Sequence, residues 1–304
     1  MKLGFVSAIL DGWTFEEMMD TAAGLGYECV EAACWPQGKA ERRYAGVSHI
    51  DVDNDSREYV NHIHETCKKT GVEISALAYY PNTMDGDFQK REAAIRHLKK
   101  VIAFSEKLGV GMVTTFVGRD QTKSVEENLE AFGRIWPPII QYAEEHGVRI
   151  AIENCPMLFG REQWPGGHNL FTSPALWRKM FDMIPSKNFG INYDPSHFVW
   201  QMMDYIQPIY EFRERIFHVH YKDIKVYPQK LKDVGIMAYP LEYMEPKLPG
   251  LGDVDWGRYV SALTDIGYDG FTCVEVEDRA FEADRERILD SLKLSKRYIE
   301  QFVI

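Results

Sequence analysis

Short apolar runs alternate with longer amphipathic stretches almost from one end of the chain to the other. KLGFVSA reads as a strand and TFEEMMDTAAGLGY as the helix after it, with Thr14 as N-cap, Glu17 at the capping-box position and Gly26 as the stop. YECVEAA is the next strand, SREYVNHIHETCKKTG the next helix and EISALAYY the third strand. In KREAAIRHLKKVIAFSEKLG the apolar positions Ala94, Ile95, Leu98, Val101, Ile102, Phe104 and Leu108 recur at helical spacing, which predicts one long helix. GMVTTFVG, a helix from Val125 to His146, VRIAIENC and a helix from Pro174 to Met183 continue the pattern. FGINYD precedes a helix around Ile206–Arg215, and IFHVHYKD precedes WGRYVSALTDIGY. GFTCVEVED and a closing helix, DRERILDSLKLSKRYIEQF, end the series. This makes about eight strand–helix units, the number that closes a parallel barrel.

The strands are largely continuous apolar runs, as expected of a parallel sheet covered by helices. An open doubly wound sheet would alternate in the same way, but no GxGxxG follows the first strand to favour a dinucleotide fold. The expectation is therefore α/β, a single (β/α)8 TIM barrel over residues 1–304, with no linker or domain boundary. A long loop at about 224–253, rich in Pro, Lys and Tyr, follows the seventh strand; connections of that length are usually functional or disordered.

The 304 residues are 45% hydrophobic, enough for a sizeable core, and the formal charge is −11. No basic stripe stands out to neutralise phosphates, so nucleic acid is not an expected partner. No apolar run is long enough for a membrane helix, and the N-terminus turns polar too soon for a signal peptide. The five cysteines form no CxxC pair and read as reduced thiols, which points to the cytoplasm. Homo-oligomerisation is left open.

Chemistry in such a barrel sits at the C-terminal ends of the strands. The fifth ends in AIENCP and offers Glu153; the sixth ends in NYDPSH and offers Asp194 and His197. The seventh, FHVHYKD, offers His218, His220 and Asp223, and the eighth, CVEVED, offers Glu275 and Glu277. Buried charges are costly unless paired or coordinated, so acidic residues within apolar strands need an explanation. Carboxylates with an imidazole favour a divalent ion such as Mn²⁺, Co²⁺ or Mg²⁺ over a thiolate-bound zinc. Strand period alone does not choose between His218 and His220, or between Glu275 and Glu277, because each pair shares a face.

IEN, DPSH, HVHYKD and PGLGDVDWGRYVSALTDIGYDGFTCVEVED together resemble the xylose-isomerase-like sugar isomerases and epimerases, specifically the tagatose/psicose 3-epimerase and inosose-dehydratase branch. The resemblance covers essentially the whole chain. It implies one divalent metal ion, Mn, Co, Mg or Zn, held by Glu153, Asp194, His220 and Glu275, with Glu153 and Glu275 as the catalytic pair. It also implies that His197 contacts substrate hydroxyls. Lys222 and Asp223 are further candidates for substrate binding, Asp223 being equally readable as a partner behind a ligand. His218 reads as a structural histidine beneath the site, and Glu277 and Asp278 as rim charges.

Carboxylates flanking a metal suit proton abstraction beside a carbonyl, through a metal-stabilised enediolate. The expected function is a sugar isomerase or epimerase acting on a ketose or keto-sugar, its partner a small-molecule sugar. The same enolate could expel a β-substituent, which makes a dehydratase or lyase on an inosose or 3-keto-glycoside the alternative. Abasic-site endonucleases share D-x-x-H and H-x-H but need further histidines on early strands, and AACWP, AYYPN and FVGRD have none. A non-catalytic sugar-binding protein is the remaining class, disfavoured because every ligand is present.

Overall fold

Strands buried on both faces can leave neither backbone donors nor acceptors unpaired, and a closed cylinder meets that demand because it has no edge. A computed structural model describes residues 1–38, 44–158, 161 and 165–303. Its strands are β1 (Lys2–Val6), β2 (Cys29–Ala33), β3 (Glu73–Ala78), β4 (Met112–Thr115), β5 (Arg149–Glu153), β6 (Phe189–Tyr193), β7 (Ile216–Tyr221), β8 (Asp223–Val226), β9 (Met244–Lys247) and β10 (Phe271–Val274). β1 to β7 and β10 form a closed barrel in which every pairing is parallel, and β1 bonds both β2 and β10. β2, β4, β6 and β7 are buried along their whole lengths, as a parallel sheet covered by helices requires, so their polar residues Glu31, Asn192, His218 and His220 are buried too. The (β/α)8 expectation is met.

Local signals decide most helix ends. Thr14 and Glu17 form the reciprocal capping box at the start of the helix Phe15–Leu25, and Gly26 closes it in the left-handed region at φ 75°. The long third helix starts at Phe88, slightly earlier than its apolar period, because the Asp87 carboxylate accepts from the N–H groups of Gln89 and Lys90. The single helix expected from Val125 to His146 is instead two, Val125–Ile135 and Pro137–Glu145. Pro137 and Pro138 have no N–H, so the carbonyls of Gly133 and Arg134 lose their donors one turn on and the helix breaks at Trp136. The helix expected around 206–215 shrinks to Gln207–Glu211 followed by a 3-10 turn, Arg213–Arg215.

The stretch expected to be irregular after β7 carries regular structure. β8 pairs antiparallel with β9, Asp223 facing Lys247, and the helix Pro228–Val234 and a 3-10 turn Pro240–Glu242 lie between them. Ile224, Tyr243 and Met244 of this hairpin bury against Trp200 in an apolar cluster separate from the main core. The insertion thus rests on the barrel's C-terminal rim. No helix among the described residues is long and apolar enough to cross a membrane.

Candidate metal centre

The barrel interior is polar in its upper half, and its side chains stack in layers fixed by strand register. Lowest is His218, buried in β7, its Nδ1 3.0 Å from Asn192 Oδ1 and its Nε2 3.0 Å from Ser75 Oγ. Both ring nitrogens are engaged, so His218 supports the site from beneath. One layer up, Glu31 of β2 is fully buried and accepts three hydrogen bonds. His220 Nε2 lies 2.6 Å from Oε2, while Tyr80 Oη–H and Thr114 Oγ1–H donate to Oε1 at 2.6 and 2.8 Å. A proton on Nε2 directed at Glu31 leaves the Nδ1 lone pair of His220 facing the rim.

At that rim Glu153, Asp194, His220 and Glu275 each present one donor atom, and these four atoms lie within 4.8 Å of one another. Local contacts aim each of them. The Asp194 Oδ1 accepts from the Ser196 N–H at 2.8 Å, which leaves Oδ2 for the cluster. His220 Nδ1 lies 3.2 Å from Glu275 Oε2 and 3.8 Å from Glu153 Oε1. His197, one turn after Asp194, brings Nε2 within 3.2 Å of Asp194 Oδ2 and 3.5 Å of Glu153 Oε1. Glu153 Oε1, Asp194 Oδ2, His197 Nε2, His220 Nδ1 and Glu275 Oε2 are all buried, and the polar groups they face are one another and the Lys222 ammonium.

Such convergence is costly without a cation. The cation present is Lys222, 2% exposed, its Nζ 2.8 Å from Glu275, 3.1 Å from Asp194, 3.4 Å from Glu277 and 3.7 Å from Glu153. One ammonium faces four carboxylates; burial would lower the His220 ring, but Glu31, Glu153 and Glu275 in turn hold it well above the ordinary imidazole range. Three carboxylates and an imidazole, with donor atoms facing a common point, are a donor set suited to a divalent ion, so the residues fit the metal that the sequence led us to expect.

The local field separates the carboxylates. Burial pushes the Glu31 carboxyl up, but the rings of His220 and His218 and the bonds from His220 and Tyr80 outweigh it and bring it down to about 2. Glu153 is likewise penalised by burial yet held well below the usual carboxylate range by Lys222, His197 and His220. Glu275 goes the other way. Burial raises it, and the neighbouring charges of Glu153 and Glu277 add to that against Lys222.

Asp223 stands outside the cluster. Its Oδ1 accepts from the N–H groups of Ile224 and Val254 at 2.8 and 3.1 Å, and its Oδ2 from Gly250 N–H and Trp256 Nε1–H at 2.9 Å each. Four donors occupy the carboxylate, so in place of the expected substrate contact Asp223 braces residues 248–256 against β8. A Cβ at Gly252 would lie 2.2 Å from that same Oδ1, so only glycine fits there. Trp256 is correspondingly core, and Asp278, expected on the rim, is buried. Glu31 was not among the expected residues; a lone carboxylate within CVEAAC was the signal available for it.

Beside the cluster is a cleft of about 90 Å³, walled by Trp35, Tyr80 and Phe116 and floored by Glu153, Lys222 and Glu275. The chain is similar to known proteins along its whole length. An inosose dehydratase of Clostridium perfringens (strain 13) is 27% identical over 91% of this chain and 90% of its own. Among solved structures, the IOLI protein with a bound zinc atom superposes with a TM-score of 0.73, at 18% identity and 99% coverage of both chains. D-psicose 3-epimerase with D-tagatose from Clostridium cellulolyticum H10 superposes with a TM-score of 0.68, at 16% identity, over 100% of this chain and 99% of that one. At those identities the structural likeness speaks for the fold. A family profile matches residues 19–298, and with the closed eight-stranded barrel this establishes that the chain belongs to the xylose isomerase-like TIM barrel family.

Proposed function

We propose that the chain is a cytoplasmic, divalent-metal-dependent sugar isomerase or epimerase that removes a proton next to the carbonyl of a ketose or keto-sugar. The observation that carries the reading is the convergence of Glu153, Asp194, His220 and Glu275, whose buried donor atoms lie within 4.8 Å of one another. A divalent ion held there, Mn, Co, Mg or Zn, supplies Lewis acidity toward a carbonyl oxygen and the enediolate that forms from it. Everything else falls to the chain's own groups.

Glu153 and Glu275 reach the cleft from β5 and β10, three strands apart around the rim, and so approach a bound ring from different sides. One takes the proton at carbon and the other returns it. Lys222 and His197, both buried at the cluster, orient the substrate's oxygens by donating hydrogen bonds. Trp35, Tyr80 and Phe116 cover the apolar face of the ring and exclude water.

A dehydratase or lyase using the same enolate is the second reading, favoured by the 27% identity to an inosose dehydratase. Incubation with panels of ketoses, inososes and 3-keto-glycosides in D₂O tests both. Deuterium next to the carbonyl with an unchanged formula supports isomerase or epimerase chemistry, and loss of water or of an alcohol supports the second reading. Absence of exchange with every class, or turnover retained by Glu275→Gln, would sink the proposal. Purified protein is expected to carry about one divalent ion per chain.

A further inference from the structure

A sulfur lies beside the carboxylate cluster and takes no part in holding the first ion. Cys155 comes two positions after Glu153 at the end of β5, and residues two apart in an extended chain share a face. The Asn169 side-chain amide donates to the carbonyls of both, at 3.0 and 2.8 Å, which pins this short segment. Between them, Asn154 exchanges two hydrogen bonds with the backbone of Asp194, at 2.9 and 2.8 Å. That clamp ties the end of β5 to the end of β6 and brings His197, one turn on, to the same place. Glu153, Cys155 and His197 then offer one donor atom each, all within 4.8 Å of one another.

These three side chains are held and reachable. Glu153 is 2% and His197 8% exposed, and Glu153 Oε1 stands 3.5 Å from His197 Nε2. Tetrahedral zinc with bonds of about 2.0–2.1 Å to oxygen and nitrogen spans about 3.3–3.4 Å between them. His197 Nε2 is also 3.2 Å from Asp194 Oδ2, but that oxygen belongs to the first ion, and the ring is left to Glu153 and Cys155. The Lys222 ammonium is nearer to Glu275 and Asp194, at 2.8 and 3.1 Å, than to Glu153 at 3.7 Å. The Met157 N–H donates to the sulfur at 3.3 Å, with Met157 in the left-handed region at φ 57°, a conformation that a residue with a side chain keeps only where its surroundings impose it. Cys155 lines the cleft and also a neighbouring cavity of about 340 Å³ that His197 shares, so an ion has a way in and keeps an open position.

We propose that Glu153, Cys155 and His197 form a second cation site, which takes a thiophilic divalent ion such as Zn²⁺ and is separate from the four-ligand centre. A carboxylate, a thiolate and an imidazole with one position left open match the donor count of a zinc site that keeps a water or a substrate oxygen. Glu153 belongs to both sets, and its two oxygens let it serve each. Sulfur among the donors gives this site a softer preference than the oxygen-rich first centre.

Titration of the chelator-stripped full chain with Co²⁺, in a non-thiol reductant, reads the site by absorbance without turnover. About two Co²⁺ per chain are expected, with the near-ultraviolet charge-transfer band that a bound thiolate produces. Added Zn²⁺ should bleach that band. Cys155→Ser, a one-atom change at a half-buried side chain, should lose the band and take up about one Co²⁺, half the wild-type amount. Asp194→Asn removes a ligand of the first centre alone, so the band should survive it. No thiolate band, a band retained in folded Cys155→Ser, or a band lost in folded Asp194→Asn would overturn the proposal. Circular dichroism checks each fold, and Cys155→Ser decides by itself if Asp194→Asn does not fold. Cobalt uptake by Cys155→Ser reports on the first centre alone, so failure of that centre and failure of the second site give different results.

Discussion

Replacing Glu31 by Gln tests how the candidate centre is wired. The carboxylate accepts from His220 at 2.6 Å, Tyr80 at 2.6 Å and Thr114 at 2.8 Å, and Gln keeps its shape while removing its charge. Gln offers one acceptor oxygen, so its NH₂ must face either His220 or the two hydroxyls. Tyr80 and Thr114 can rotate their hydrogens and accept. His220 could accept only by moving its proton to Nδ1, where it would point at Glu153 and Glu275. The oxygen therefore stays with His220, and a charge-assisted bond becomes a neutral one. Such bonds contribute about 1.5–3 kcal/mol with a charged partner and about 0.5–1.5 kcal/mol without, a difference of about 1–1.5 kcal/mol. At 1.4 kcal/mol per tenfold, Mn²⁺ affinity falls about 5- to 12-fold, reaching the lower edge of the ~10–100-fold loss usual for a partner behind a metal-binding histidine. Calorimetric titration of chelator-stripped protein with Mn²⁺ reads it directly. Unchanged affinity in a Glu31→Gln protein of wild-type fold would refute the wiring.

Lys222→Met should behave in two ways at once. Without Mn²⁺ it loses roughly 3–5 kcal/mol, because buried carboxylates lose their counter-charge, yet it binds Mn²⁺ more tightly because the ammonium no longer competes for the same oxygens. Urea unfolding with and without Mn²⁺ measures both, and weaker metal binding would count against the shared-oxygen argument. The Glu31 carboxyl, at about 2 instead of its usual 4.5, contributes stability that is fully present above about pH 4.5 and disappears as pH falls toward 2. Glu31→Gln should flatten that acid limb in a pH series of unfolding midpoints; an identical limb would argue that other groups cause it. Asp223→Asn must turn its NH₂ against two N–H donors whichever way it faces, so we expect a loss of about 2–3 kcal/mol in urea unfolding. Stability unchanged by that substitution would remove Asp223 as the brace.

The barrel was legible because its evidence is repeated in every unit: an apolar run, then an amphipathic stretch with a cap such as Thr14 or a stop such as Gly26. Strand ends gave Glu153, Asp194, His220 and Glu275, and the structure brings their donor atoms together. What separates His220 from His218 is depth along the barrel, which a period of two cannot express. Glu31 escapes a reading of strand ends because it sits inside β2, and its lone carboxylate finds its partners on β3, β4 and β7, or just beyond them. The break at Trp136 was hidden because apolar periodicity runs on through Pro137, although proline chemistry alone forbids a continuous helix there. The hairpin was hidden because four-residue strands, one containing Pro246, carry too little pattern.

The facing of Asp223 and Lys247 across β8 and β9 has a consequence for how this barrel can change. Cα atoms in an antiparallel pair stand about 4.5–5.5 Å apart, so the insertion leaves the rim and returns to it at nearly the same point. Segments inside that gate can be lengthened, shortened or exchanged without altering the distance the barrel must span. Immediately outside it, Lys222 and the clamp from Asp223 to Gly250, Val254 and Trp256 remain in place. Residues 224–246 therefore form a replaceable cassette, through which the rim of the barrel can be refitted while Glu153, Asp194, His220 and Glu275 stay where they are.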